Sequence, residues 1–285
     1  MNESYNDRIK RAARAIHNAE KIVIGAGAGL SAAAGIDYNG KRFTENFKPF
    51  IEKYGMKDLY TSSFYPFPTQ EEKWVYWAKH ISLNLYETPV KELYIKLMEL
   101  VSSKNYFVIT TNVEGQFTKA GVEKSRFFEV QGNYGYLQCA KGCHDKLYYN
   151  EELVTQMLSE TADCSIPATL VPRCPVCGGN MDTNLRKDNH FVQDSNWYES
   201  ENNYRKFISG TESITAVFLE LGVGFNTPGI IRFPFEAMVR RNPKALLIRL
   251  NRDDLQCMPE NFESTITFSE EMKTVINDMI HIEGA

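Results

Sequence analysis

No stretch of the 285-residue chain approaches the roughly 20 consecutive apolar residues that a membrane span requires. An excess of charge of one sign is also missing. The 32 basic and 36 acidic residues leave a net charge of −4, so neither nucleic acid nor an anionic membrane is electrostatically favoured as a partner. Met1–Arg14 is polar and charged and lacks the apolar core of a secretory leader. A cytoplasmic, reducing setting is therefore expected, and disulfides are the weaker reading of Cys139, Cys143, Cys164, Cys174, Cys177 and Cys257. Internal repeats and low-complexity segments are absent too. What remains is 43% hydrophobic and 24% charged, ordinary for a soluble chain that folds as one large domain with a small insertion.

Tyr5–Glu20 places Ile9, Ala12, Ala13 and Ile16 on one helical face, and Lys21–Gly25 follows as a short apolar strand. Further strands are expected at Tyr106–Thr110, Phe127–Val130, Ala216–Leu221, Ala245–Leu250 and Ser264–Phe268. Glu71–Asn84, Val90–Ser102 and Glu270–Ile282 read as helices. Strands separated by helices argue for an α/β parallel sheet with helices on both faces. The aromatic, basic stretch Asn39–Pro68 has no clean strand; its Phe43–Phe67 part is expected as a mobile lid, within a helical segment of about 39–90. From Gln138 to Asp182 the texture turns to Cys, Gly and Pro, which sets a small domain at 138–182 apart from 1–137 and 183–285. Asn180–Tyr204 is polar and reads as a loop, and His17 and His80 as surface residues of helices.

Gly25-Ala26-Gly27-Ala28-Gly29-Leu30-Ser31 leaves the first strand and enters a helix start at Ala32-Ala33-Ala34. From Gly27 it matches G-x-G-x-x-A, whose glycines let backbone N–H groups approach a pyrophosphate. A tight turn with no ligand is the other reading. An ordinary dehydrogenase needs a second strand ending in Asp or Glu about 20 residues on. Glu45 and Glu52 are available there, but neither ends a credible strand.

Cys139-Ala-Lys-Gly-Cys143 and Cys174-Pro-Val-Cys177-Gly-Gly have the spacing of metal knuckles, and two such turns complete a tetrahedral S4 zinc site. The 30 intervening residues exceed the usual spacing, and free thiols or a redox pair stay open. With four protein ligands the metal would be structural, leaving no vacancy for His144. Cys164 and Cys257 read as packing residues.

The combination resembles the sirtuins, NAD-consuming protein deacylases and ADP-ribosyltransferases. Gly25–Ser31 with Gly35-Ile36 is similar to the GAGxS…GI opening motif, and Thr110–Gly115 with Ala120-Gly121 to TQNID…AG. Glu129-Val130-Gln131-Gly132-Asn133 stands where the family carries HG; Gly222-Val223-Gly224 and Leu250-Asn251 resemble its G-T-S segment and its late ribose-binding strand. The resemblance implies a Rossmann-like domain with a zinc-ribbon insertion and NAD in the cleft between. It places the pyrophosphate on Gly25, Ala26, Gly27, Ser31, Gly222 and Gly224, and the adenine-side ribose near Asn251 and Arg252. The nicotinamide end would meet Ile36, Asp37, Tyr38, Asn112, Val113 and Glu114.

The departures point to one branch. Gln131 replaces the histidine that serves as base in deacylation, and an amide has no useful basicity near neutral pH. Thr111, Glu114 and Phe117 replace Q, D and a following H; the V-V-x-F-G-E strand is missing from Asn180–Val192; and the family arginine survives only as a displaced Arg42. This pattern resembles the macrodomain-linked (class M) sirtuins. It implies protein ADP-ribosylation with Asn112 and Gln131 at the reacting ribose. A lipoylated carrier protein of the glycine-cleavage H type would be the acceptor, with a macrodomain hydrolase as functional partner. Glu114 or Asp37 could assist the nucleophile, though Asp37 could equally cap a turn and Glu114 be merely solvated. A lysine deacylase, a non-catalytic NAD-sensing module and a simple NAD glycohydrolase remain as competing readings.

Overall fold

Strands buried on both faces need layers of helix above and below, and that requirement organises the computed structural model of the chain, which describes residues 3–283. Met1 and Asn2, at the start of the polar N-terminal stretch, and the last two residues of the span 183–285 lie outside the described residues. In chain order the strands are β1 (Lys21–Ala26), β2 (Tyr106–Thr110), β3 (Phe127–Glu129), β4 (Gly132–Cys139), β5 (Tyr148–Tyr149), β6 (Met181–Leu185), β7 (Ala216–Leu221), β8 (Ala245–Leu250) and β9 (Thr265–Phe268). Six of them form one sheet in the order β3-β2-β1-β7-β8-β9, with every pair parallel. Counted within that sheet the order is 3-2-1-4-5-6, the Rossmann arrangement.

One face packs on the helices Tyr5–Asn18, Glu92–Val101 and Met272–Glu283 through Ile16, Leu97 and Ile276. The other packs on Ser195–Ser209 and Arg232–Arg241 through Tyr204, Phe235 and Val239. The α/β architecture expected from the strand pattern is therefore present. Two differences from expectation bear on this face. Asn180–Tyr204 is not a loop: it contains β6 and most of a helix whose start is capped by Asp194, which accepts from the Trp197 N–H at 2.8 Å. That helix buries only Tyr204 fully, so its apolar stripe is too thin to read from the sequence. The helix Arg232–Arg241 was not read at all, since its buried face includes Arg232 and Glu236.

Both belong to a buried ionic cluster between sheet and helix. Glu220 and Arg249 are register partners on β7 and β8, joined at 2.7 Å; Glu236 meets Arg249 at 3.0 Å, and Arg232 meets Glu220 at 3.5 Å. Each lone charge in an otherwise apolar strand is thus paired, as burial demands.

The smaller antiparallel sheet, β5-β4-β6, reaches from Gly132 to Leu185 and is wider than 138–182 on both sides. It shares one apolar cluster with the helices Gly40–Asn46, Lys48–Tyr54, Leu59–Ser62 and Gln70–Ile81. Phe43, Phe47 and Phe50 lie inside that cluster, at most 5% exposed, so much of the segment expected as a lid is core. No helix among the described residues is long and apolar enough to cross a membrane.

Candidate active site

Parallel α/β sheets bind ligands outside the carboxyl ends of the strands where the winding reverses. Here that point lies between β1 and β7, and two glycine segments meet there. Gly27 ends the turn after β1 and starts the helix Ala28–Ala33; its N–H donates to Leu221 O at 3.0 Å, and the Gly29 N–H to Gly222 O at 2.9 Å. A Cβ on Gly27 would fall 2.7 Å from Gly222 O, and Gly222 itself has φ +60°. The glycines therefore lay two backbones against each other. The Ala28 N–H at the helix start has no backbone partner, and Gly224 is exposed with open space where a side chain would be. Free donors beside exposed glycine backbone fit a pyrophosphate.

Behind this cradle lies a buried polar cluster. Glu114, 3% exposed, accepts from Ser31 Oγ, from Tyr94 Oη at 3.1 Å and from the Val113 N–H at 3.0 Å. Glu114 is thus neither solvated nor free. Burial raises the Tyr94 hydroxyl well above its ordinary range, keeping it a neutral donor. Asn112 leaves β2 at the same point and donates Nδ2 to Gly27 O at 3.0 Å. Its Oδ1 has no partner among the described residues. Gln131, half-buried between β3 and β4, uses its backbone carbonyl to accept from Arg186 N at 3.0 Å; no described residue bonds its side-chain amide.

The Ile36–Tyr38 turn forms the opposite wall. Ile36 is buried and its N–H donates to Ser31 O at 2.9 Å, while the Asp37 side chain is exposed. Tyr38 is held at its hydroxyl by Tyr134 at 2.7 Å, and Tyr134 in turn meets His80 Nε2 at 2.9 Å. His80 is fully buried, contrary to the surface position expected, because its helix is apolar on nearly every side around Trp74–Ile81. Burial, then the Arg42 charge, lowers its imidazole to about 3, so it is neutral. Arg42 itself is anchored to Asn84 Oδ1 at 2.7 Å and Leu83 O at 3.0 Å. On the far side, Asn251 ties β8 to the β7 loop by donating to Val223 O at 3.0 Å, and its Oδ1 accepts from Asp253 N. Arg252 is exposed and, among the described residues, pairs only with its neighbour Asp253.

Tyr94, Tyr134, His80, Glu129 and Asn133 also line or support the cluster and were not assigned from the sequence. Glu129 and Asn133 flank Gln131 in the same short motif, which is the signal that was available for them.

The four knuckle cysteines converge at one end of the small sheet. Their sulfurs all lie within 4.8 Å of one another, with Cys139–Cys177 at 3.7 Å and Cys143–Cys174 at 3.6 Å. A tetrahedral zinc site with Zn–S of about 2.3 Å has edges of about 3.8 Å, so the donor set fits the metal. Burial pushes the Cys139 thiol up, but N–H groups of Cys143 and Lys141 outweigh it and hold the thiol down at about 6. His144 stands alongside, Nδ1 at 3.1 Å from Cys143 Sγ and Nε2 at 2.9 Å from Tyr148 Oη. That position suits a hydrogen bond to a thiolate.

A Rossmann-like sheet with glycine backbone at its switch point, a buried Asn–Glu cluster and a four-cysteine clip define an α/β protein of the nucleotide-binding class with an insertion whose thiols suit a metal. Residues 27–206 match the Sir2 family. A protein ADP-ribosyltransferase of Staphylococcus aureus (strain Mu50 / ATCC 700699) is 36% identical over 263 residues, covering 92% of this chain and 84% of the relative. A probable bifunctional ADP-ribose hydrolase/ADP-ribosyltransferase of Fusarium oxysporum f. sp. cubense is 33% identical over 246 residues, 82% of this chain but 41% of the relative's length. The chain belongs to the Sir2 family. Its fold is shared with a Sir2 enzyme solved for its mechanism and regulation (TM-score 0.61, 16% identity, 98% and 99% coverage). Sir2Tm bound to a propionylated peptide is similar to the same degree (TM-score 0.61, 16% identity, 97% and 98% coverage).

Proposed function

We propose that this chain is a sirtuin-type, NAD-dependent protein ADP-ribosyltransferase. The observation that carries the reading is Gln131: at the cleft, where deacylases place a base, stands an unpartnered amide that can hold a hydroxyl but cannot remove its proton. Both relatives described above carry ADP-ribosyltransferase in their names, which supports the same branch.

In this reading the Gly25–Ser31 turn with Ala26 and Gly27, and Gly222 with Gly224, hold the pyrophosphate of the substrate NAD. Asn251 and Arg252 border its adenine-side ribose. Ile36, Asp37, Tyr38, Val113 and Glu114 enclose the nicotinamide end. Asn112 Oδ1 and Gln131 fix the ribose, and their dipoles favour the positive character that develops at C1′ as the bond to nicotinamide breaks. A nucleophile of a protein acceptor then takes C1′. Zinc on Cys139, Cys143, Cys174 and Cys177 holds the small sheet in place and takes no part in the chemistry. The acceptor is a lipoylated carrier of the glycine-cleavage H type, and a macrodomain hydrolase reverses the mark. The hydrolase named together with the transferase in the Fusarium relative supports the second partner; the first rests on the resemblance.

The test is transfer of label from NAD to a lipoylated H-type protein by the wild type, Asn112→Ala and Gln131→Ala. Each variant is expected to lose ~100-fold or more while still folding with its zinc. Undiminished transfer by both variants would overturn the assignment.

A further inference from the structure

Transfer of ADP-ribose leaves one proton to be placed. The acceptor heteroatom arrives with a hydrogen, and its lone pair forms the new bond to C1′. The C1′–nitrogen pair departs with nicotinamide, which leaves neutral and takes up no proton, so the acceptor's hydrogen needs a base. Gln131 is an amide and cannot serve. Glu114 already accepts from Ser31, Tyr94 and Val113. The Asp37 side chain is solvent-exposed and, among the described residues, no partner holds its carboxylate in place.

We propose that Glu129 is the base, taking the proton of the attacking nucleophile at the C-terminal edge of β3 and passing it to water; the inference rests on the transferase reading above. Glu129 is the register partner of Thr110 on β2, and the Val130 N–H bonds Thr110 O at 3.0 Å. Its backbone therefore sits beside the strand exit that delivers Asn112, two residues before Gln131. Strand alternation puts Glu129 on the same sheet face as Phe127, which packs in one cluster with Tyr94 and Phe117. That is the face of Tyr94, which also bonds Asn112 and Glu114.

The carboxyl is held but not saturated. Asn133 Nδ2 donates to Oε1 at 2.9 Å, and Asn133 cannot turn away because its own Oδ1 accepts from the Gly135 N–H at 2.7 Å. No other hydrogen bond reaches Glu129 from the described residues, and the residue is half-buried rather than sealed, so Oε2 is left without a donor. The turn after Asn112 passes close by: a Cβ on Gly115 would lie 3.8 Å from Asn133 Nδ2. Two carboxyls thus share this corner in opposite environments, Glu114 crowded with donors and Glu129 with a single one. Burial raises the Glu129 carboxyl, the Asn133 hydrogen bond opposes this, and the charge of Glu114 adds to it; the result is about 8. Glu114, on the β2 exit, is the charged group that bears on it, and the β4 side presents the neutral Asn133. Divergent environments of two neighbouring carboxyls are the mark of divided acid–base roles, and a base near the working pH is the most effective one.

The experiment measures transfer to the lipoylated H-type protein between about pH 6 and pH 9.5 for wild type, Glu129→Gln, Glu129→Asp and Asn133→Ala, with NAD binding and zinc content as folding controls. Wild-type transfer should rise about tenfold per pH unit and level near the Glu129 pKa. Glu129→Gln should lose ~100-fold or more together with the rising limb, while Glu129→Asp keeps the limb at reduced rate. Asn133→Ala should move the limb to higher pH, because it removes the hydrogen bond that favours the ionised form. This last variant decides the matter even if Glu129→Gln folds poorly. A wild type that transfers, with Glu129→Gln within threefold of it and Asn133→Ala leaving the limb in place, overturns the role of Glu129 alone. A wild type that transfers nothing to the carrier overturns the transferase reading and this inference with it.

Discussion

Replacing His80 with glutamine should make the protein's stability less sensitive to acid, and by a calculable amount. His80 lies between two tyrosines, Nδ1 at 3.1 Å from Tyr76 Oη and Nε2 at 2.9 Å from Tyr134 Oη. Tyr76 donates its hydrogen to Leu59 O, so Nδ1 carries the imidazole proton and Nε2 accepts from Tyr134, which accepts in turn from Tyr38. A second proton on the ring would require the Tyr134 and Tyr38 hydroxyls to reverse. Burial, then the Arg42 charge, holds the imidazole down to about 3 against an ordinary 6.5. The sign follows from that depression. The unfolded chain binds a proton below pH 6.5 and the folded chain does not, so the contribution is whole above 6.5 and is lost as pH falls toward 3. Between about pH 7.5 and pH 5.0 the loss is ~2 kcal/mol, from about 1.4 kcal/mol per pH unit over about 1.5 units. Glutamine does not titrate. At the higher pH His80→Gln should be the weaker protein by ~2–4 kcal/mol, through lost packing and imperfectly replaced hydrogen bonds. Urea unfolding with zinc in excess, at both pH values, reads the gap between the two proteins, in which the other titrating groups cancel. The gap should narrow by ~2 kcal/mol on acidification. A gap constant to within ~0.5 kcal/mol would mean that His80 takes up its proton in the fold as readily as in the unfolded chain, and the neutral buried imidazole would have to be abandoned.

The other expectations test the cradle and the clip. Gly27→Ala sets a methyl 2.7 Å from Gly222 O and 2.9 Å from Val223 Cα, both backbone, so the two loops must separate. We expect ~1–3 kcal/mol of destabilisation and at least tenfold weaker NAD binding by calorimetric titration; unchanged affinity would place the pyrophosphate elsewhere. Cys174→Ser removes one corner of the sulfur tetrahedron, and metal analysis should find the bound zinc lost with the melting temperature down by ~5–10 °C. A variant that melts with the wild type would show the clip to be dispensable for the fold.

The parallel sheet was legible because strands covered on both faces must be continuously apolar, and Tyr106–Thr110 and Ala216–Leu221 are fully buried along their length. The metal clip was legible because its ligand spacing is local. What escaped depends on partners far apart in the chain. Glu220 and Arg249 are single charges in two apolar strands, and only the adjacency of β7 and β8 turns them into a buried pair. His80 follows Tyr76 by four residues, a spacing that stacks them on one helical face, but a helix apolar on nearly all sides gives no clue to which face is inside. The helix Ser195–Ser209 needs only a thin stripe against β3, and polar residues fill the rest.

The candidate site divides along the same line. Asn112 and Gln131 could be proposed from the family resemblance, because a motif asparagine after a strand and an amide in place of the family's base are statements about single positions. The carboxyls could not. Asp37, Glu114 and Glu129 are alike in the sequence, and each could assist a nucleophile. Their difference lies in the donors around them: Glu114 has three, Glu129 has one and retains an open oxygen, and Asp37 is in solvent. The oxygens of Glu114 are taken up by its donors, whereas burial with a single donor raises the Glu129 carboxyl. The replacement of a basic histidine by Gln131 therefore need not leave the site without a base. It shifts that role two residues back along the chain, to a carboxyl at the end of β3 that the fold leaves underbonded.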